Sequence, residues 1–254
     1  MAKWGIWPRT TAETSAKLFR RRSFIPNSAR LREGFPMPSP KTIIVVGGTG
    51  YAGSAIVREA ATRGHAVTSV SRSIPADQVA GVSYVAADAL NGTLSIGTAD
   101  VVVGALSPRG DNAGTLTKAY LRLADQARDA GARLVLVGGF SCLRREAGAP
   151  RMIEGESFPP DVPQEVIVEA KENMDVLTHL LADETRLDWL FVSPAMEFSS
   201  WMPGEDLGRY RLGGDVALFD VDGRSAISGV DYARAVLDEI ESPTRHRAQI
   251  GIAY

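Results

Sequence analysis

Gly47, Gly48, Gly50 and Gly53 stand within the stretch Lys41 to Ser73, KTIIVVGGTGYAGSAIVREAATRGHAVTSVSRS. Gly48, Gly50 and Gly53 fit GxGxxG, and Gly47, Gly50 and Gly53 fit the related GxxGxxG. Both spacings serve one chemistry, the holding of a pyrophosphate. A strand has to turn sharply into a helix, the backbone has to reach the phosphates with no Cβ in the way, and the helix has to pack close to the sheet. The free N–H groups at the helix start then face the phosphates. The surrounding residues supply that context. Ile43 to Val46 form an apolar run into the glycines, a helical pattern leaves them, and a second apolar run closes on Ser71-Arg72. The whole reads as a nucleotide-binding βαβ unit.

The end of that second run bears on which dinucleotide is bound. An NAD site places Asp or Glu about 20 residues after the glycines, on the ribose 2′-hydroxyl. Here Ser71-Arg72 occupy the place, and the nearest following acid, Asp77, lies beyond Pro75. A carboxylate would repel a 2′-phosphate, whereas a guanidinium pairs with it through two hydrogen bonds. NADP(H) is therefore favoured over NAD(H), with a solvated Arg72 or one stacked on adenine as the plainer readings. Asp88, after the next apolar run, either meets the adenine amino group or caps the next short helix.

Proton donors are fewer. Reductases of this fold class commonly use Tyr-x-x-x-Lys, the lysine lowering the tyrosine pKa. None of the six tyrosines has a lysine four residues on, and Ile167 precedes Lys171 at that spacing. Lys171 either touches the nicotinamide ribose or is an exposed helix lysine. Ser141 either assists a substrate carbonyl or is a loop serine. His65, His179 and His246 share no ligand spacing, so no metal site is expected. Glu165, Glu169 and Glu172 read as a solvated helix face, His65 as surface or turn, and Trp189 and Phe191 as core. Cys142, the single cysteine, follows an apolar run and reads as a buried structural thiol.

Several elements must position these groups. Strands are expected at Val82 to Ala86, Asp100 to Val103, Arg133 to Val137 and Trp189 to Val192, and helices over Ala113 to Ala130 and Gln164 to Ala182. Strands alternating with helices imply a doubly wound parallel sheet covered on both faces. Ligands of such sheets lie beyond the carboxyl ends of the strands. Small or polar residues sit at those ends: Gly47 to Gly53, Arg72, Asp88-Ala89, Gly104 to Ser107, Gly138 to Ser141 and Ser193-Pro194-Ala195. The last third changes rhythm. Arg209 to Leu212, Ala217 to Val221 and Ser225 to Ser228 look like short strands, turning at Gly213-Gly214 and Asp222-Gly223. A helix over Val230 to Glu241 and a strand over Gln249 to Ala253 complete a small C-terminal cap.

The 254 residues suit one domain, here 41–254, with 44% hydrophobic and 23% charged residues. The net charge of −2 gives no reason to expect nucleic acid, and no apolar run spans a bilayer. A soluble cytoplasmic protein with a small-molecule substrate is expected, as a monomer or small homo-oligomer. Residues 1–36 carry a net charge of +6 against −8 for the remainder. Residues 1–40 read as a basic disordered leader or an upstream start with Met37 opening the folded part. A targeting segment and a basic binding arm are the alternatives.

VGGTGYAG, the Gly138-Gly139 strand end, LDWLFVSPA (Leu187 to Ala195), YRLGGD (Tyr210 to Asp215) and ISGVDYA (Ile227 to Ala233) occur in a characteristic order. In this the chain, from Lys41 on, resembles the atypical short-chain dehydrogenase/reductases. In particular it resembles the bacterial NADH-flavin reductases grouped with NAD(P)H-binding and NmrA-like proteins. The resemblance implies an NAD(P)-binding Rossmann fold, usually without a Tyr-Lys pair. It also implies that Gly47, Thr49, Gly50, Tyr51, Ala52 and Gly53 hold the pyrophosphate and Arg72 meets the adenosine phosphate. Gly104, Ala105 and Leu106 would line the cofactor, and Pro194 and Ala195 would border the nicotinamide. Flavin is then a possible substrate: stacking its ring on the nicotinamide supplies most of what transfer needs. The expected function is an NADPH-preferring reductase of a flavin or quinone-like acceptor. The alternatives are a non-catalytic NADP(H) sensor and, by fold alone, a sugar-nucleotide epimerase or dehydratase.

Overall fold

The computed structural model describes residues 39–90, 94–107, 110–155, 158, 160 and 162–254. The readings of residues 1–38 lie outside them. Eight strands form one sheet: β1 (Thr42–Val46), β2 (Ala66–Ser71), β3 (Ser83–Ala86), β4 (Val101–Gly104), β5 (Arg133–Val137), β6 (Trp189–Ser193), β7 (Arg211–Leu212) and β8 (Ala248–Ala253). Their order is β3-β2-β1-β4-β5-β6-β8-β7, parallel throughout except for the edge pair β7–β8. The α-helices among the described residues are α1 (Tyr51–Thr62), α2 (Leu116–Ala130), the single turn α3 (Met152–Gly155), α4 (Gln164–Leu181) and α5 (Gly229–Glu241). This is the doubly wound parallel sheet of an NAD(P)-binding Rossmann fold.

The central strands are apolar throughout because both faces are covered. Ile43 and Val45 point to the face packed by Ile56, Val57 and Ala60 of α1 and by Tyr232, Val236 and Ile240 of α5. Ile44 and Val46 point to the other face, under Leu116, Tyr120 and Leu123 of α2 and Val176, Leu177 and Leu180 of α4. Trp189 and Phe191 lie in this second core. Strand order reverses between β1 and β4, where such folds open a crevice. Val46 is level with Val70 of β2 and with Gly104 of β4, so the three strands end together at that crevice.

Several expectations need correction. Ala217 to Val221 and Ser225 to Ser228 are not strands. Their neighbours are loops, through the isolated bridges Arg144–Val216 and Glu197–Ala226. The Asp222-Gly223 turn does form, with Asp220 accepting the N–H groups of Asp222 and Arg224 at 3.0 and 2.8 Å. Turn chemistry is local; the partners of the flanking segments are not. At Gly213-Gly214 the chain joins β8, Gly213 N–H donating to the Gly251 carbonyl, while β7 pairs with β8.

Helix α2 begins at Leu116, three residues later than expected. Glu172 is the reason, and it is no solvated face residue. It is buried, and its carboxylate accepts the N–H groups of Gly114 and Thr117 at 3.1 Å each. A carboxylate from α4 thus caps the unpaired amides of α2. His65 is likewise buried. Its Nδ1 accepts the Lys41 N–H at 3.2 Å, so Nε2 carries the proton and faces Glu241 at 3.1 Å. This histidine ties the start of β1 to the end of α5.

Candidate cofactor site

The glycine loop is assembled from backbone contacts too close for side chains. Gly47 has φ +88°, and a Cβ there would lie 2.3 Å from the Ala105 carbonyl oxygen beyond β4. A Cβ on Gly53 would lie 2.2 Å from the Gly47 carbonyl oxygen, so α1 leans directly on the loop. Gly48 packs on Ser69 of β2, 2.2 Å from where a Cβ would be. Gly50 differs. Its φ of −72° suits any residue, and a Cβ would meet the Gly47 carbonyl at 3.3 Å and the Ala105 carbonyl at an ordinary 3.8 Å. Gly50 therefore leaves space above the loop that is not filled by the chain itself.

The amides around that space are unpaired. Gly47 and Gly48 N–H donate to the Val70 carbonyl, Gly50 N–H to Gly47, and Ser54 N–H to Gly50. The N–H groups of Thr49, Tyr51, Ala52 and Gly53 have no acceptor among the described residues. Four free donors at a helix start, beside a position that tolerates close approach, fit a pyrophosphate.

The other strand ends arrange themselves around this loop. Arg72 follows β2, exposed, with no hydrogen bond or ion pair among the described residues. Asp88 accepts the Leu90 N–H at 2.9 Å, a local turn. Ala89 is half-buried beside it. Ala105 is buried, and Leu106 is half-buried with its N–H held by Tyr120. Pro194 and Ala195 are buried after β6. Gly104 and Gly138 have a different reason to be glycine. A Cβ would meet Leu136 and Tyr120 at 2.6 and 2.8 Å for Gly104, and the Phe191 ring at 2.0 Å for Gly138. Both are demanded by packing beneath the sheet, and only their backbones are left to line the crevice.

Tyr51 has its side chain occupied elsewhere. Its hydroxyl donates to the Pro203 carbonyl at 2.7 Å and accepts the Gly229 N–H at 2.8 Å, and its ring meets Phe198 edge-on at 4.9 Å. It therefore fastens the strap Met196 to Gly208 over the start of α1. Only its backbone N–H belongs to the cradle. The strap is secured further by Leu207 N–H on the buried Asp231 and by the Arg224–Glu197 ion pair at 2.5 Å.

Tyr120 holds the crevice floor. Its buried hydroxyl lies 3.0 Å from the Gly104 carbonyl and 3.2 Å from that of Val137, and accepts the Leu106 N–H at 3.0 Å. Burial raises its pKa far above the ordinary tyrosine value, so it is a clamp between β4 and β5 and not an acid. Tyr120→Phe leaves the Leu106 N–H without its acceptor. A loss of about 1–3 kcal/mol is expected, readable by urea unfolding, with a weaker cofactor affinity as the loop loosens.

Ser141 is half-buried in the turn after β5, and Lys171 is exposed on α4. The α4 residue that reaches the β5 end is Asn173. It is buried 3.6 Å from where Gly139 would carry a Cβ, with Nδ2 donating to the Glu169 carbonyl at 3.0 Å and Oδ1 unpaired. Nothing in the polar sequence around it marked Asn173 out. Cys142 is sealed as expected, and burial pushes its thiol up to about 12. Among the described residues no group of His, Cys, Asp and Glu could hold a metal, and no helix is long and apolar enough to cross a membrane.

Fold, switch-point crevice and glycine cradle together define a dinucleotide-binding Rossmann protein. Residues 47–243 match the NAD(P)H-binding family, and the chain belongs to it. It is 33% identical over 202 residues to the uncharacterised protein YwnB of Bacillus subtilis, covering 78% of this chain and 92% of YwnB. It is similar to a crystal structure from Streptococcus pneumoniae titled a "putative NADH-flavin reductase". That match has 30% identity and TM-score 0.73, covering 84% of this chain and 99% of the other. A "putative epimerase" structure from Bacteroides thetaiotaomicron is 33% identical with TM-score 0.72, covering 85% and 98% of the two chains.

Proposed function

We propose that this chain is an NADPH-preferring oxidoreductase that reduces a flavin or quinone-like ring without a tyrosine acid. One observation carries the reading: all six tyrosine hydroxyls are engaged in holding the chain together. Tyr51, Tyr120, Tyr210, Tyr232 and Tyr254 bond to Pro203, Gly104, Asp238, Val192 and Glu205 respectively. Tyr84 accepts the Val79 N–H on the edge strand β3. No tyrosine is left to protonate a substrate carbonyl in step with transfer, and a conjugated ring system needs no such partner.

A bound dihydronicotinamide supplies the hydride. The chain's own part is placement. The amides of Thr49, Tyr51, Ala52 and Gly53 hold the pyrophosphate and Arg72 takes the 2′-phosphate. Ala105 and Leu106 line the path, and Pro194 and Ala195 exclude water behind the nicotinamide. With both rings oriented, proximity provides most of the catalysis. The family membership and the similarity to the Streptococcus pneumoniae structure support this assignment.

The test is NADPH oxidation at 340 nm, with and without riboflavin, FMN or a naphthoquinone. Acceleration by at least one of them is expected. If none accelerates oxidation while NADPH still binds, the reductase reading fails and the chain is a redox-ratio sensor.

A further inference from the structure

Under the loop that follows β5 lies a cation outside the glycine cradle. Arg151 is 5% exposed and packs beside Gln249 of β8. Its Nη1 donates to the Cys142 carbonyl and to Oε1 of Gln249. Gln249 in turn donates to the Ser193 hydroxyl at 3.0 Å and to the Cys142 carbonyl at 3.1 Å. The guanidinium is thus tied to the residue after Ser141 and, through Gln249, to the last residue of β6.

Only one edge of the group is used. Nε and Nη2 of Arg151 have no hydrogen-bond partner among the described residues, yet neither is among the sealed unpaired atoms, so this edge keeps a narrow contact with solvent. No carboxylate oxygen of the described residues lies within 4.0 Å of the guanidinium. Arg144, bridged to Arg151 in the backbone, is paired with Asp215 at 2.8 Å. Burial and then Arg144 hold the Arg151 pKa below its ordinary value, against the pull of Asp215. A buried guanidinium without a counter-ion is costly, and its planar fork matches a phosphate or carboxylate in two parallel bonds.

We propose that Arg151 forms an anion subsite for the acceptor, its free edge taking a phosphate or carboxylate that the acceptor carries. The proposal rests on the reductase reading for the identity of the ligand, but its test does not require turnover. Binding to the NADP⁺ complex is measured by fluorescence for riboflavin and FMN, which share one ring system, and for a naphthoquinone with and without a carboxylate. The wild-type protein is expected to bind the anionic member of a pair roughly tenfold or more tightly. Preference in the flavin pair alone assigns the site to phosphate, and preference in both to anions generally. Equal binding within both pairs overturns the proposal, whether or not the protein turns over any acceptor.

Variants locate the effect. Arg151→Met should erase the preference, read as the ratio of the two affinities, while NADPH affinity reports that the fold stands. Arg151→Lys, which keeps the charge but not the fork, should reduce the ratio severalfold and serves if the methionine variant does not fold. A preference that survives intact in either folded variant places the anion elsewhere and overturns the assignment.

Discussion

Gly50→Val is expected to abolish dinucleotide binding while leaving the fold standing. The backbone at Gly50 lies at φ −72° and ψ 173°, open to a branched residue, and a Cβ would meet the Gly47 carbonyl at 3.3 Å and nothing closer. What the side chain would fill is the space above the loop, where the amides of Thr49, Tyr51, Ala52 and Gly53 point unpaired. Valine is also a poor helix N-cap, so a stability loss of about 1 kcal/mol is expected. The NADPH dissociation constant should rise roughly a hundredfold or more, equivalent to about 2.8 kcal/mol. Gly53→Ala makes the contrast. Its Cβ would sit 2.2 Å from the Gly47 carbonyl oxygen, a backbone atom that cannot step aside. That variant should lose about 3 kcal/mol of stability together with the cofactor. Thermal melts and NADPH titrations of both proteins separate the two cases. If Gly50→Val binds NADPH normally, the pyrophosphate does not pass over this loop.

Legibility followed the range of each interaction. The βαβ unit could be read because strand, glycine turn and helix are contiguous and their periods differ. The inner face of α2 was legible in the spacing of Leu116, Ala119, Tyr120, Leu123 and Ala127, all of which are buried. What was not legible depends on partners distant in sequence. Glu172 looked like a solvated charge because its partners, Gly114 and Thr117, are 58 and 55 residues away. His65 looked like a turn residue because Glu241, 176 residues on, is what encloses it. Why positions 104 and 138 are glycine was not legible, because a sequence does not say which face of a strand end a missing Cβ would occupy. Phe191 and Tyr120 fill those faces.

The same limit governs the irregular segments. Periodicity draws attention to regular elements, whereas Arg151 and the strap Met196 to Gly208 are irregular segments held by side-chain hydrogen bonds. Tyr51 was read as part of the cradle by its position in the motif, and its backbone does lie there. Its hydroxyl, bridging Pro203 and Gly229, is what couples the motif to the strap and to the start of α5. A motif residue can therefore contribute its backbone to one task and its side chain to another.

Arg72→Ala should erase the proposed preference for NADPH over NADH. Arg72 is the residue after β2, exposed, with no competing partner among the described residues, so nothing in the fold depends on its guanidinium. Two charge-assisted hydrogen bonds to a 2′-phosphate would be lost from NADPH and none from NADH. Hydrogen bonds to charged groups contribute about 1.5–3 kcal/mol, so NADPH affinity should fall roughly 10- to 100-fold. NADH affinity should change by less than about threefold, the scale of an exposed-residue substitution. The loss should be greatest at low ionic strength, because an exposed charge pair is screened within about 10 Å at 0.1 M salt. Arg72→Asp carries the argument one step further. A carboxylate there repels the 2′-phosphate and can accept from the free ribose 2′-hydroxyl, so it should reverse the preference and not merely erase it. Equal losses for NADPH and NADH in the alanine variant would mean that Arg72 stacks on the adenine, which the two cofactors share.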